Sequence, residues 1–236
     1  MYYPHPALTL PSKETVIWHY FSLAKFLSLL NDSKLYFPRS DKFEDQMEGR
    51  FSAADKNLYE IMGNPSMPER IEKGCAGCAY INCWVMSEEE LFLMWSAYSS
   101  LEEGIAIKSS VGNLISSLDA SDTREIYISN VSYIDYEKQR TFDKTGRIVN
   151  ALAPYFCKRK YFSQERELRL VHYDFHIRPH HNIEGMEFDV ALETLIDEIW
   201  VAPKAHDWFV DMVNKELKLH DISIQAKISK LTGTLD

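Results

Sequence analysis

CWVMSEEELFLMWSAYSSLEEGIAIK, residues 83–108, decides the fold, because the spacing of its apolar residues changes twice. The compact run at residues 80–86 reads as a strand. Leu91, Met94, Trp95 and Tyr98 then repeat at helical spacing, and Ile105 and Ile107 return to alternation. The stretch is therefore strand, helix, strand. Ser87 followed by Glu90 has the pattern of a capping box at the helix start, and Gly104 stands where the helix must turn into the next strand.

Towards the N-terminus, residues 1–13 carry three prolines and read as an extended lead-in. Residues 16–21 (VIWHYF) form a strand with Trp18 and Tyr20 on one face and Ile17, His19 and Phe21 on the other. Ser22 is placed to cap a helix with Leu23, Phe26, Leu27 and Leu30 at i, i+3, i+4, i+7 spacing, and a short strand at residues 34–37 stops at Pro38. A polar, acidic loop follows, then a helix over residues 52–62 and a linker over residues 64–77. Towards the C-terminus the pattern predicts a helix over 111–118, a strand over 125–133 and a helix over 144–160 divided by Pro154. Beyond these come a strand over 165–173, a loop over 176–184, a short helix over 190–196, a strand over 198–202, a helix over 207–219 and a strand over 222–228. Strands and helices are interspersed and the strands are short. The expectation is a single domain over residues 1–236 of α+β class, with a mixed or antiparallel sheet.

The bulk composition narrows the functional classes. A chain of 236 residues with 45% hydrophobic and 13% aromatic residues can bury a sizeable core. The net charge of -9, from 26 basic and 35 acidic residues, argues against bulk binding to nucleic acid or to anionic membranes. No apolar run approaches the roughly 18 residues of a membrane span, and no signal peptide is read, so the expected location is the cytoplasm. The 4 cysteines do not form a disulfide framework, and reduced thiols are expected. No Gly-rich phosphate loop, nucleophile elbow or HExxH is present.

Four runs then resemble, in order, the landmarks of a bacterial family catalogued as domain of unknown function 2971. They are WHYF-x-LAKFLSLLNDSKLYFPRSDKFEDQMEG, CWVMSEEELFLMWSAYSSLEEGIAI, KRKYFSQERELRL and IDEIWVAPKAHDWFVDMV. The resemblance implies a shared fold and a shared polar site, and no reaction. Two departures stand out: His19 where a long basic residue is usual, and Glu44, Asp45 and Gln46 in place of Asn-Asp-Pro.

Four groups of residues carry candidate chemistry. His19, Tyr98 and the Glu165-x-Glu167 pair look like the His-Tyr-Glu arrangement of ADP-ribosyltransferases. That resemblance implies NAD as donor, His19 on its ribose, an aromatic on nicotinamide and a glutamate stabilising the oxocarbenium-like transition state. Tyr20, Arg39, Trp95, Lys160 and Arg169 are the accompanying candidates for holding the cofactor. The bland alternative is that Glu167 and Arg169 pair on a solvated strand face while Trp95 and Tyr98 are helix core. Asp41, Glu44, Asp45 and Glu48, a second group, would suit Mg²⁺ and a nuclease, or are simply solvated. Cys75-x-x-Cys78 with Cys83 is half of a zinc pattern and lacks the second pair, so no metal site is assigned. Lys158, Arg159, Lys160, Arg166 and Arg169, with Tyr161 and Phe162 among them, could hold phosphate and stack on a base, or could be a solvated helix end. The leading reading is a nucleotide-linked enzyme resembling ADP-ribosyltransferases, in the setting of toxins or phage defence. Its rivals are a noncatalytic nucleotide-sensing or protein-interaction module and a metal-dependent nuclease.

Overall fold

The computed structural model describes residues 1–75, 77–119, 121–141, 151–174 and 183–231. In chain order the elements are β1 (Val16–Ser22), α1 (Leu23–Asp32), β2 (Lys34–Pro38), α2 (Ala53–Ile61), α3 (Met67–Cys75), β3 (Ala79–Met86) and α4 (Phe92–Tyr98). There follow β4 (Gly104–Ser110), α5 (Val111–Ser117), β5 (Ile126–Asn130), β6 (Ser132–Ile134), β7 (Cys157–Arg159) and β8 (Glu167–Tyr173). The last are β9 (Gly185–Asp189), α6 (Leu192–Leu195), β10 (Glu198–Val201), α7 (Asp207–Leu219) and β11 (Lys227–Ile228). Seven strands hydrogen-bond in the order β11-β10-β4-β1-β3-β8-β5. The sheet is mixed, since β11 runs parallel to β10 whereas β1, β4 and β10 pair antiparallel. The fold is α+β, as the alternation of short strands and helices predicts. No helix among the described residues is long and apolar enough to cross a membrane.

The chain clusters into two compact units. One comprises Pro11–Leu35, Trp84–Asp122 and Glu187–Asp236. Its centre is the β1–β4 ladder, with Trp18 opposite Lys108, Tyr20 opposite Ala106 and Ser22 opposite Gly104. Strand alternation puts Trp18 and Tyr20 on one face, where they pack with Val85, Met94, Trp95 and Trp200. On the opposite face His19 meets Phe21 and Trp84, at ring-centroid distances of 4.2 and 5.0 Å, and Phe21 meets Phe26 of α1. Gly104 is required by close approach, because a Cβ there would lie 2.3 Å from the Ser100 carbonyl oxygen. The other unit comprises Met1–Leu10, Tyr36–Cys83 and Thr123–Met186. Its core joins Ala79 and Ile81 of β3 to Tyr127 of β5, Val171 and Tyr173 of β8, and Tyr155 and Phe156.

Several expectations need correction. The Ser87–Glu90 pattern caps nothing: α4 starts after Leu91, and Glu90 is buried, accepting from the Trp95 indole N–H at 2.8 Å, the Ser229 hydroxyl at 2.6 Å and the Lys230 N–H at 2.6 Å. The working capping box is Ser52 with Asp55, at the start of α2. Within the linker lies α3, whose Pro68 falls in the first helical turn, where a missing N–H costs nothing. Residues 153–156 form a 3₁₀ turn and 157–159 a strand where the pattern predicts a helix divided by Pro154; residues 144–150 of that expected helix lie outside the described residues. Most of the expected loop at 176–184 also lies outside them, and β9 follows directly. Of the strand expected over 222–228, only β11 is paired.

Candidate functional site

The polar residues of β8 are not on a solvated face. All seven of its residues are buried, although Glu167 and Arg169 do alternate with Leu168 and Leu170 as the sequence predicts. The strand has a neighbour on each side in the sheet, and both of its faces are covered. Charge in such a place must be matched by charge.

The match comes from segments distant in sequence. Lys158 on β7 donates to Glu165 Oε2 at 2.5 Å and to Glu167 Oε1 at 2.8 Å, and lies 3.4 Å from Glu48 Oε1. Arg169 donates from Nε to Glu167 Oε2 at 2.5 Å and from a terminal nitrogen to the Tyr155 carbonyl at 2.9 Å, while its other terminal nitrogen pairs with Glu48. The Glu167 N–H donates to the Tyr133 hydroxyl at 2.8 Å. Glu165 ends a 3₁₀ turn, and Arg166, in the left-handed region at φ 45, turns the chain into β8. The two carboxylates meet through this turn as well as through the pleat.

Three carboxylates face two cations, so the group carries one excess negative charge in a poorly solvated place. Proton affinities adjust to it. Burial pushes Glu167 up, but the Arg169 charge, a hydrogen bond from Glu165 and the Lys158 charge outweigh it and hold Glu167 below the usual carboxylate range. Burial, then the hydrogen bond to Glu167, pushes Glu165 up. Burial alone would lower Lys158, yet the charges of Glu167 and Glu48 raise it. Glu165 is also the most accessible of the three, its side chain 12% exposed against 6% for Glu167 and 4% for Glu48.

The other candidates fall as follows. Arg39 contacts Asp41 at 2.6 Å and the Ile183 carbonyl at 3.0 Å. Lys160 is exposed and pairs with Asp135 at 2.8 Å. Arg169, at 0% exposure, holds Glu167 and Glu48, so its place is inside the protein and not on a cofactor. In the other unit His19 is half-buried between Phe21 and Trp84, and Tyr98 is 48% exposed. Trp95 is wholly buried, and Tyr20, also buried, accepts from the Leu91 N–H at 3.0 Å. A ring with no open face cannot stack on a ligand, so Trp95 and Tyr20 are core residues. The acidic group is dispersed among cations: Asp41 on Arg39, Asp45 on Arg159, Glu48 on Arg169 and Lys158. No group of three metal-ligating side chains occurs among the described residues, and the four cysteines are free thiols.

Sequence reasoning missed that Glu48 and Lys158 belong with Glu165 and Glu167. By sequence Glu48 falls in the acidic loop and Lys158 in the basic run, and no spacing links residue 48 to residue 158. Tyr133 gave no signal at all.

Residues 94–170 match the profile of the family described as protein of unknown function (DUF2971). The matched segment begins within α4 and ends within β8, so Glu165, Glu167 and Arg169 lie inside it. Among solved structures the chain is similar to Thermus sp. 2.9 DarT in complex with ADP-ribosylated ssDNA, at 11% identity and a TM-score of 0.42, covering 95% of this chain and 98% of that one. It is also similar to the same protein in complex with NAD+, at 12% identity and a TM-score of 0.41, covering 94% and 98%. No curated protein matches.

Proposed function

We propose that this chain is a nucleotide-linked enzyme of ADP-ribosyltransferase type, with NAD as donor, working as one domain in a bacterial cytoplasm. One observation carries the reading: two glutamates on one ammonium with opposed proton affinities, Glu165 raised and Glu167 lowered. Paired carboxyl groups driven apart in this way divide the labour of acid–base chemistry. When the glycosidic bond of NAD breaks, nicotinamide leaves with the bonding electrons and positive charge develops on the ribose. The anion of Glu167, fixed by Lys158 and Arg169, supplies a standing negative potential. Glu165, more accessible and with the higher affinity, takes the proton that the acceptor loses as its oxygen or nitrogen bonds to the ribose carbon. Lys160 is assigned to a phosphate group. His19 and Tyr98 enter the proposal through the resemblance of the sequence pattern alone.

The test is release of nicotinamide from NAD, with protein and nucleic-acid acceptors supplied, by the wild type and by Glu165→Gln. The amide retains an oxygen for Lys158 and a donor for Glu167, so the variant should stay folded. Loss of turnover by a factor on the order of a hundred is expected. Equal turnover by the folded variant would reject the role given to Glu165.

A second reading has its own support. Every charge in the group is answered within the group, as in a purely structural ion network. A noncatalytic module that senses a nucleotide would show a rise in melting temperature with NAD and no nicotinamide release.

A further inference from the structure

Helix α4 is turned inside out. Only Met94 and Trp95 of its seven residues are buried, and the positions left to solvent are Phe92, Leu93, Ser96, Ala97 and Tyr98. Phe92 is 54% exposed and Leu93 44%. At about 100° per residue, Phe92, Ser96, Leu93 and Ala97 fall on one continuous arc. Single exposed leucines are ordinary on protein surfaces, but a whole exposed face made of Phe, Leu, Ala and Ser is not.

The charge pattern around this face is equally one-sided. No charged residue occurs from Leu91 to Leu101, and Glu88, Glu89, Glu102 and Glu103 flank that run, all four exposed. None of these four carboxylates has an ion-pair partner among the described residues. Two lysines come near through their backbones: Lys204 N–H bonds the Leu101 carbonyl, and Lys230 N–H bonds Glu90. The Lys230 ammonium is over the Trp200 ring, 5.4 Å from its centroid. The rim is thus predominantly acidic. An uncharged centre containing an aromatic residue, inside a charged rim, is the anatomy of a protein–protein interface.

We infer that the exposed face of α4 docks a protein partner that presents an apolar helix face flanked by lysines and arginines. Complementarity selects this occupant. Phosphate-bearing partners, whether nucleic acid or anionic membrane, meet four like charges, whereas a basic flank meets four opposite ones and is steered towards them. The inference does not depend on the enzymatic reading, since neither Phe92 nor Leu93 has a part in it.

The probe is a synthetic amphipathic helical peptide with leucines on one face and lysines and arginines beside them. Its counterpart replaces each cation by glutamate. Titration of the full chain, followed by fluorescence anisotropy, is run on the wild type, on Phe92→Ser with Leu93→Ser, and on Glu102→Lys with Glu103→Lys. The basic peptide should bind the wild type, weaken as salt rises and lose at least about tenfold in affinity in each double variant, since truncating central apolar contacts or reversing rim charge does so at interfaces. The acidic peptide should not bind. Failure of the basic peptide to bind, or equal binding by all three proteins, overturns the proposal. So does stronger binding to phosphatidylserine vesicles or single-stranded DNA. Sedimentation showing self-association that Phe92→Ser with Leu93→Ser abolishes would assign the face to a second copy of this chain and overturn it likewise.

Discussion

Glu165 and Glu167 share a single ammonium, with Lys158 Nζ at 2.5 Å from one and 2.8 Å from the other. Removing that ammonium leaves three buried carboxylates facing Arg169 alone. Lys158→Met is therefore expected to destabilise the protein by about 3–5 kcal/mol, the usual cost of stranding buried charge. Urea unfolding at neutral pH checks this, and the variant should recover part of the loss as the pH is lowered and the carboxylates take up protons.

Strand alternation alone suggests that Glu167→Gln would be cheap. The buried position of Glu167 on Arg169 and Lys158 reverses that expectation, to a loss of roughly 3 kcal/mol or more. The pH dependence has a definite sign. Glu167 is held below the usual range, so its contribution is present above the unfolded carboxyl value of about 4.3 and is lost as the pH falls below it. Glu165 is raised, so its contribution is present below that value and is lost as the pH rises through its folded one. Melting curves from about pH 3 to about pH 8 should show Glu167→Gln flattening the acid limb and Glu165→Gln flattening the opposite one. Parallel curves for both variants and the wild type would contradict the assignment.

Glu90 joins α4 to the segment after β11 by accepting three hydrogen bonds. Glu90→Ala leaves the Trp95 indole N–H, the Ser229 hydroxyl and the Lys230 N–H without their acceptor. The expected cost is about 3 kcal/mol, with bonds to a charged acceptor at the upper end of the usual scale. Chemical denaturation followed by tryptophan fluorescence reports both the loss and the altered surroundings of Trp95.

Gly49 has φ +76, and a Cβ on it would lie 2.6 Å from Tyr155 Cε1. Tyr155 is itself buried, and its carbonyl accepts from Arg169. Gly49→Ala should therefore cost about 2 kcal/mol or more, through left-handed strain and overpacking together. A thermal shift of less than a degree would count against it.

Legibility of the sequence followed the range of the forces involved. Periodicity found β1, α1, β3, β4 and α7, because each has one face against a core. It did not find α3, where Pro68 read as a break though it lies in a first turn, nor β9, which begins at a glycine. The Ser87–Glu90 motif misled because donors remote in sequence took the Glu90 carboxylate. For the site, alternation correctly placed Glu167 and Arg169 together, yet it cannot distinguish a face turned to water from one covered by Lys158, Glu48 and Tyr155. That distinction is tertiary, and only the folded chain contains it.

A strand buried along its whole length, as β8 is, has a consequence for amide exchange with solvent. Its hydrogens should exchange only when the surrounding structure opens globally, which makes β8 the slow reference against which other segments are timed. Residues 160–165, a 3₁₀ turn with Lys160 and Tyr161 exposed, should exchange through small local openings. The frontier between slow and fast deuteration therefore falls at Arg166, between the two glutamates. Glu165 therefore stands on the fast side of that frontier and Glu167 on the slow side.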